Sequence, residues 1–190
     1  MRNTLFFRWH SFLGLAVGTF VLIAALTGSV IAFYHPLDAK LNPWQITLPE
    51  AKPLLDPLHL IDKVETAVEG SRVSWVSLSL GHESSYHYFL APKTLTTTLL
   101  NNDLYLHPYT GEIKGVRLWG DITQGVSNLL PFIYKLHYSL ALGSIGVLVM
   151  GLVALAWLVL LLCGLYITFP TVRKGFLQQW LKRWKLRVKG

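Results

Sequence analysis

The chain has 190 residues, 52% of them hydrophobic, and its 17 Lys and Arg against 10 Asp and Glu give a formal charge of +7. This size allows one small soluble module and a few membrane spans. The single cysteine, Cys163, excludes an intrachain disulfide, a cysteine-based metal site and an iron–sulfur cluster held by one chain. No Ser-His-Asp, Cys-His or paired-carboxylate pattern is visible, which argues against a hydrolase.

The charges are segregated along the chain. All 10 acidic residues lie between Asp38 and Asp121, whereas the two ends carry Lys and Arg with no acidic residue. The positive-inside rule therefore predicts that both termini are cytoplasmic and that the middle lies outside, which is the periplasm if the protein sits in a bacterial inner membrane. The basic ends would face anionic membrane lipid, so the charge requires no nucleic-acid partner.

Residues 1–10 are predicted to form a cytoplasmic N-terminus and residues 11–35 a first transmembrane helix. No Asp, Glu, Lys or Arg stands between Arg8 and Asp38. The apolar run is long enough to cross about 30 Å of hydrocarbon and too long for a typical signal peptide, which favours an uncleaved anchor. Pro36 is expected to stop the helix just after His35.

A histidine stands at each end of this span. His10 and His35 are 25 positions apart, close to seven whole helical turns, so one helix would carry both on one face about 37 Å apart. Small residues, Gly14 and Gly28 among them, line the same face. Such a face admits either another helix or a flat macrocycle, and simple helix packing through Gly14-x-x-x-Gly18 is the common alternative.

Residues 36–136 are predicted to form a periplasmic α+β module with linkers. A helix is expected over 58–68, with Asp56 as its cap and Gly70 after it. Pro108-Tyr109-Thr110-Gly111 predicts a hairpin turn. Alternating apolar residues predict strands over 73–80, 86–90, 95–100, 103–107 and 112–118.

Residues 137–170 are predicted to form a second transmembrane helix, preceded by a short interfacial helix over 132–142. No charged residue lies between Tyr138 and Pro170. Residues 171–190 predict a basic amphipathic helix on the inner leaflet, because apolar and basic residues alternate there at helical spacing. The remaining histidines lack metal-site spacing and are predicted to be surface or hairpin residues; they are His59, His82, His87 and His107.

Three histidines are candidate haem ligands. His137, at the outer start of the second span, and His35, at the outer end of the first, would hold a b-type haem between two helices. Gly28 leaves room for the porphyrin near His35. His10 with Gly14 repeats the pattern at the inner side, where the second span offers no histidine, so an inner haem would need a ligand from another chain.

Several motifs together resemble the PepSY-associated transmembrane helix family, some of whose members are inner-membrane siderophore reductases. They are Trp9-His10…Gly14, Tyr34-His35-Pro36-Leu37-Asp38, Pro108-Tyr109-Thr110-Gly111-Glu112 and Leu136-His137-Tyr138-Ser139-Leu140. The resemblance implies a haem-bearing membrane protein whose periplasmic PepSY module helps to move electrons to ferric iron bound by a siderophore. His10 and His137 map onto the family's histidines. Reductase-like relatives have four spans, so this chain resembles their N-terminal half.

Two functions follow as alternatives. The first is a b-haem electron-transfer protein, either a ferric-siderophore reductase or a subunit of one, completed by a second copy or by a second two-span subunit. The second is a cofactor-free membrane anchor whose PepSY module binds a periplasmic partner or restrains a peptidase. A haem absorption band distinguishes them.

Overall fold

A computed structural model describes residues 4–80 and 84–187. Two long helices flank a sheet module, which consists of one short helix and a four-stranded antiparallel sheet. The helices are α1 (Thr4–Ile31), α2 (Tyr34–Leu41), α3 (Ile61–Ala67), α4 (Leu129–Ser139) and α5 (Gly143–Arg187). The strands are β1 (Ser71–Val76), β2 (Tyr86–Pro92), β3 (Asp103–Leu106) and β4 (Ile113–Arg117).

Two segments are long and apolar enough to cross a membrane. They are Arg8–Ile31 and Gly143–Leu165, with mean hydropathies of 2.1 and 2.9. In the most apolar 18 residues of each segment, only 11% and 6% are buried inside the molecule. Neither helix is therefore the covered core helix of a soluble domain. Apolar helices exposed on most sides suit hydrocarbon rather than water. The two-helix architecture expected from the sequence is therefore confirmed.

The first span ends earlier than predicted. α1 stops at Ile31, a turn follows, and α2 begins at Tyr34. Pro36 lies in the first turn of α2, where its missing N–H has no intrahelical partner to lose. The expectation that Pro36 ends the helix was wrong, and His35 belongs to a different helix from His10. The argument that one continuous helix carries both on one face does not hold.

The second span also begins later than predicted. His137 lies in α4, and α5 starts only at Gly143. Between them Leu140 and Ala141 adopt φ values of 52° and 57°, and their N–H groups bond to carbonyls of the last turn of α4. This left-handed cap closes α4 before the span can start.

The inner end of α5 differs from the expectation as well. The helix continues through Pro170 to Arg187, with no separate tail helix. The apolar and basic faces predicted for the tail concern side chains outside the described ones.

The sheet is a simple meander in the order β1-β2-β3-β4. α3 covers one face and contributes Val64 to a core that contains Tyr86, Tyr88, Leu104 and Leu106. Asp56 caps the turn before α3 by accepting the N–H of Leu58, as predicted. Side chains alternate along a strand, so the residues between these core positions face the opposite side, toward the membrane helices.

The strand predicted over 95–100 is wrong. These residues form a turn in which the N–H of Thr97 donates to the carbonyl of Thr94, and their hydroxyl groups lie 2.7 Å apart. Leu95 and Leu100 are exposed. Threonine hydroxyls that bond locally compete with strand pairing, which explains the difference. The other four predicted strands are present, and Gly111 turns the last hairpin with a φ of +66°.

Candidate functional site

His137 packs between α4 and α1. Its Nδ1 lies 3.0 Å from the carbonyl oxygen of Ala24 and 3.0 Å from the hydroxyl of Thr27. A carbonyl can only accept, so the network assigns the proton to Nδ1. The Thr27 hydroxyl donates its own proton to the Ile23 carbonyl at 2.7 Å, which leaves its oxygen to accept as well. Nε2 therefore carries the lone pair, and backbone orientation of the other nitrogen is typical of a metal-ligating histidine.

Gly28 makes this arrangement possible. A Cβ at this position would lie 3.1 Å from Cε1 of His137, so any side chain would press on the imidazole. The sequence placed Gly28 beside His35. The structure brings it to His137 instead, on the part of α1 that faces α4.

His35 occupies a different environment. It lies on α2, its ring meets the ring of Tyr34 edge-on at 5.6 Å, and it lines a cavity between the helix ends and the sheet. His137 does not line this cavity, and it does not line a second, smaller cavity that lies beside His10. Neither of these two cavities brings His35 and His137 together, and their pairing as ligands stays a prediction.

His10 and Gly14 face α5 of the same chain. With Gly18, Trp157 and Gly164 they line a cavity of about 260 Å³. A Cβ on Gly14 or Gly18 would meet nothing within 4 Å, so this groove has room beside the small residues. Its volume is below the 300–1,000 Å³ usual for ligand pockets. One chain by itself therefore does not enclose a macrocycle here.

The cavity beside His35 is larger, about 580 Å³. Its membrane side is formed by the ends of α1, α2 and α4, with Ile31, Tyr34, His35 and Tyr134. Its sheet side carries Trp75, His87, Tyr105, Arg117 and Trp119. Three serines of the β1–β2 connection, Ser77, Ser79 and Ser85, complete the lining. We call this space the interface cavity.

A buried ion cluster lies behind the wall of the interface cavity. Arg117 donates to both carboxylate oxygens of Asp38, at 3.0 and 2.8 Å, and through Nε to Asp103 at 2.7 Å. The side chains of Arg117, Asp38 and Asp103 are at most 2% exposed. Burial lowers the pKa of Arg117, but the bonds to Asp38 and the charge of Asp103 outweigh burial and raise it overall. The guanidinium is therefore firmly charged and joins α2 to the sheet.

His87 extends the cluster into the cavity. Its Nε2 bonds to Asp103, and its ring stacks on Tyr105 with centroids 4.3 Å apart and 9° between the planes. His87 was predicted to be a surface or hairpin residue; it lies on β2 of an antiparallel hairpin, but its side chain is only 17% exposed, so the surface alternative was wrong. His59 is exposed as predicted, His107 pairs with Glu50 at 3.3 Å, and His82 lies outside the described residues.

Sequence reasoning missed His87, Asp103 and Arg117 as a group. One signal was present: Tyr86 and Tyr88 alternate with His87 and Phe89, so both faces of β2 carry large rings and neither face reads as solvated. Among residues 4–80 and 84–187, no group of three or more His, Cys, Asp or Glu side chains is arranged to hold a metal ion.

These features define a membrane protein in which two apolar helices flank a small sheet module seated on their ends. The chain belongs to the PepSY-associated TM region family, whose model matches residues 7–189. No curated protein matches the chain.

Proposed function

We propose that this protein is a b-type haem electron-transfer protein of the bacterial inner membrane that serves ferric-siderophore reduction. The observation that carries the proposal is the orientation of His137, whose Nδ1 is held by the Ala24 carbonyl and the Thr27 hydroxyl. That arrangement leaves Nε2 as a ligand atom and fixes the plane of the ring. Haem, when bound, supplies one-electron transfer.

The remaining residues of the proposed haem sites have distinct roles. Gly28 gives the His137 ring its space. His35, on α2, is the proposed second outer ligand. Because His35 lies beside the interface cavity, α2 or α4 must shift before the imidazoles of His35 and His137 can bind one macrocycle. His10 with Gly14 is the proposed inner site.

The absorption spectrum of the purified full chain, before and after dithionite, tests the proposal. The unmodified protein should show a Soret band that sharpens and shifts on reduction, whereas His137→Ala should lose haem while still inserting in the membrane. His59→Ala is the matched control, because that imidazole is 84% exposed. Absence of haem from the unmodified protein in cells supplied with haem precursor would favour the cofactor-free anchor instead.

The proposed topology has cytoplasmic termini and a periplasmic sheet module, and the segregation of charge supports it. A phosphatase that is active only in the periplasm should be inactive when fused after Gly190. The same enzyme inserted at the exposed Leu95 turn should be active. The reversed result would refute this orientation.

We further propose that the working unit contains at least four spans, either from a second copy or from another two-span subunit. Val17 is buried against its own chain, at 7% exposure, whereas Leu15 points outward at 74%. In a Cys163→Ala background, Leu15→Cys should cross-link to a neighbour in native membranes and Val17→Cys should not. A chain that is monomeric in membranes and still binds an inner haem would contradict the four-span unit.

A further inference from the structure

The interface cavity has the dimensions and the walls of a small-molecule site. Its volume of about 580 Å³ falls within the range of ligand pockets. We propose that it binds a lipid-soluble ring with oxygen substituents, the chemistry of quinones and quinols, supplied from the membrane. The proposal concerns binding alone and does not depend on the haem sites.

The walls favour a planar ring. His87 and Tyr105 are stacked, and Trp75 meets the His87 ring edge-on at 5.2 Å. On the other side Trp119 and Tyr134 meet edge-on at 5.7 Å. Aromatic faces and edges at these separations recognise another ring by stacking and edge contacts, with little demand on its substituents.

The polar groups favour oxygen substituents without a strong negative charge. The Ser77 hydroxyl accepts the backbone N–H of His87 at 2.9 Å and so has its own proton to donate. The two carboxylates that hold Arg117 neutralise its charge, so it does not act as an anion receptor. This arrangement suits a carbonyl or hydroxyl oxygen better than a phosphate or a carboxylate.

The position of the cavity favours supply from the membrane. Ile31, the last residue of the first span, forms part of its floor, with Tyr34 and Tyr134 beside it. The cavity therefore lies where α1 leaves the hydrocarbon, at the depth where amphipathic rings accumulate. A ring with an isoprenoid tail can reach it while the tail remains in lipid.

Calorimetric titration of the full chain in phosphatidylcholine nanodiscs with a ubiquinone carrying one isoprenoid unit tests the proposal. Saturable binding beyond partition into empty nanodiscs is expected. Ser77→Ala should weaken it roughly threefold to tenfold, the loss of one hydrogen bond, and Trp75→Ala should weaken it by a similar factor. Ser74→Ala, on β1 beside Trp75, is the matched control, because the Ser74 hydroxyl bonds to the Phe89 carbonyl and does not line the cavity.

Three outcomes would overturn the proposal. The first is a titration indistinguishable from that of empty nanodiscs, and the second is an affinity in Ser77→Ala and Trp75→Ala that is unchanged from the unmodified protein. The third is binding of a water-soluble ring such as 2,3-dihydroxybenzoate but not of the tailed quinone. Because the His137→Ala protein should bind the quinone as well as the unmodified protein does, failure of the haem proposal is distinguishable from failure of this one.

Discussion

Asp38→Asn is the substitution that best tests the buried ion cluster. Asp38 lies on α2 and is 1% exposed. Its Oδ1 accepts from Asn42 at 2.8 Å and from Arg117 at 3.0 Å, and its Oδ2 accepts from Gln45 at 2.7 Å and from Arg117 at 2.8 Å. An amide has the same shape as the carboxylate, so the substitution changes charge and hydrogen bonding without creating a cavity.

Two effects of the substitution oppose each other. Asp38, Asp103 and Arg117 together carry one net negative charge, so removing a carboxylate charge relieves repulsion. However, the new amide nitrogen replaces one of the two carboxylate oxygens, each of which accepted two hydrogen bonds. In either orientation of the amide, two N–H donors, one of them from Arg117, lose their acceptor and face another N–H group. Each buried donor left without an acceptor costs about 1–3 kcal/mol. Arg117 keeps Asp103 as its partner, so its charge stays compensated. Arg117 bonds directly to both carboxylates, through its terminal nitrogens to Asp38 and through Nε to Asp103. The repulsion that is relieved acts between carboxylates on different nitrogens of the guanidinium, whereas the lost bonds are direct contacts, so the lost bonds should dominate.

Two donors lose their acceptor, so we expect Asp38→Asn to destabilise the sheet module by about 2–6 kcal/mol, which lowers Tm by roughly 4–24 °C for a chain of this size. Thermal unfolding in nanodiscs, followed by tryptophan fluorescence, reports the change because Trp44 lies against Arg117 at 5.5 Å. Asp56→Asn is the control: Asp56 is half exposed, and asparagine caps a helix equally well. A Tm within about 2 °C of the unmodified protein would show that the cluster does not fasten α2 to the sheet.

Three further predictions follow from single contacts. Gly28→Val should displace the His137 ring, since a Cβ would already lie 3.1 Å from Cε1, and haem content should fall without loss of insertion. Gly115→Ala should cost about 1–3 kcal/mol in thermal unfolding, because its Cβ would lie 2.2 Å from the Trp44 ring and the indole must move. Burial raises the pKa of Tyr88, whose hydroxyl donates to a buried carbonyl. The protonated Tyr88 hydroxyl therefore contributes fully to the free energy of unfolding below about pH 10. Above that pH the free energy of unfolding should fall by about 1.4 kcal/mol per pH unit, and Tyr88→Phe should reduce this slope.

Each of these predictions has a control or a contradicting result. Gly151→Ala matches the glycine substitutions, because a Cβ there meets nothing within 4 Å, and it should leave both haem content and Tm unchanged or slightly raised. Normal haem content in Gly28→Val would mean that His137 does not hold the cofactor. An alkaline unfolding curve that is identical in Tyr88→Phe would mean that another group controls stability at high pH.

Much of the architecture could be predicted from the sequence because it depends on local patterns. Two charge-free apolar stretches define the spans, and Pro108 to Gly111 defines a hairpin turn through residues with fixed turn preferences. Alternation of apolar residues located four of the five predicted strands. The match of residues 7–189 to the family agrees with the resemblance carried by the histidine and hairpin motifs.

The interface cavity and its ion cluster could not be predicted, because they depend on where two helices end and on residues that are distant in sequence. The left-handed backbone at Leu140 and Ala141 has no glycine signal at these positions, and the turn after Ile31 precedes the proline that appeared to mark it. Arg117 meets Asp38 across 79 positions of sequence. No periodicity of one segment reveals a pair so far apart.

The break after Ile31 changes what His35 can do. On a continuous first span, His35 would move with the membrane helix and with His10. On α2 it lies three residues from Asp38, which Arg117 joins to β4. The position of His35 is therefore fixed by the sheet module through the buried Asp38–Arg117 ion pair. The orientation of the His137 ring is fixed by α1 through the hydrogen bond to the Ala24 carbonyl. Any cofactor or ligand that contacts both histidines must couple the module to the membrane helices. It follows that Asp38→Asn, which leaves every proposed ligand in place, should still disturb a site that uses His35 and should spare one that uses His137 alone.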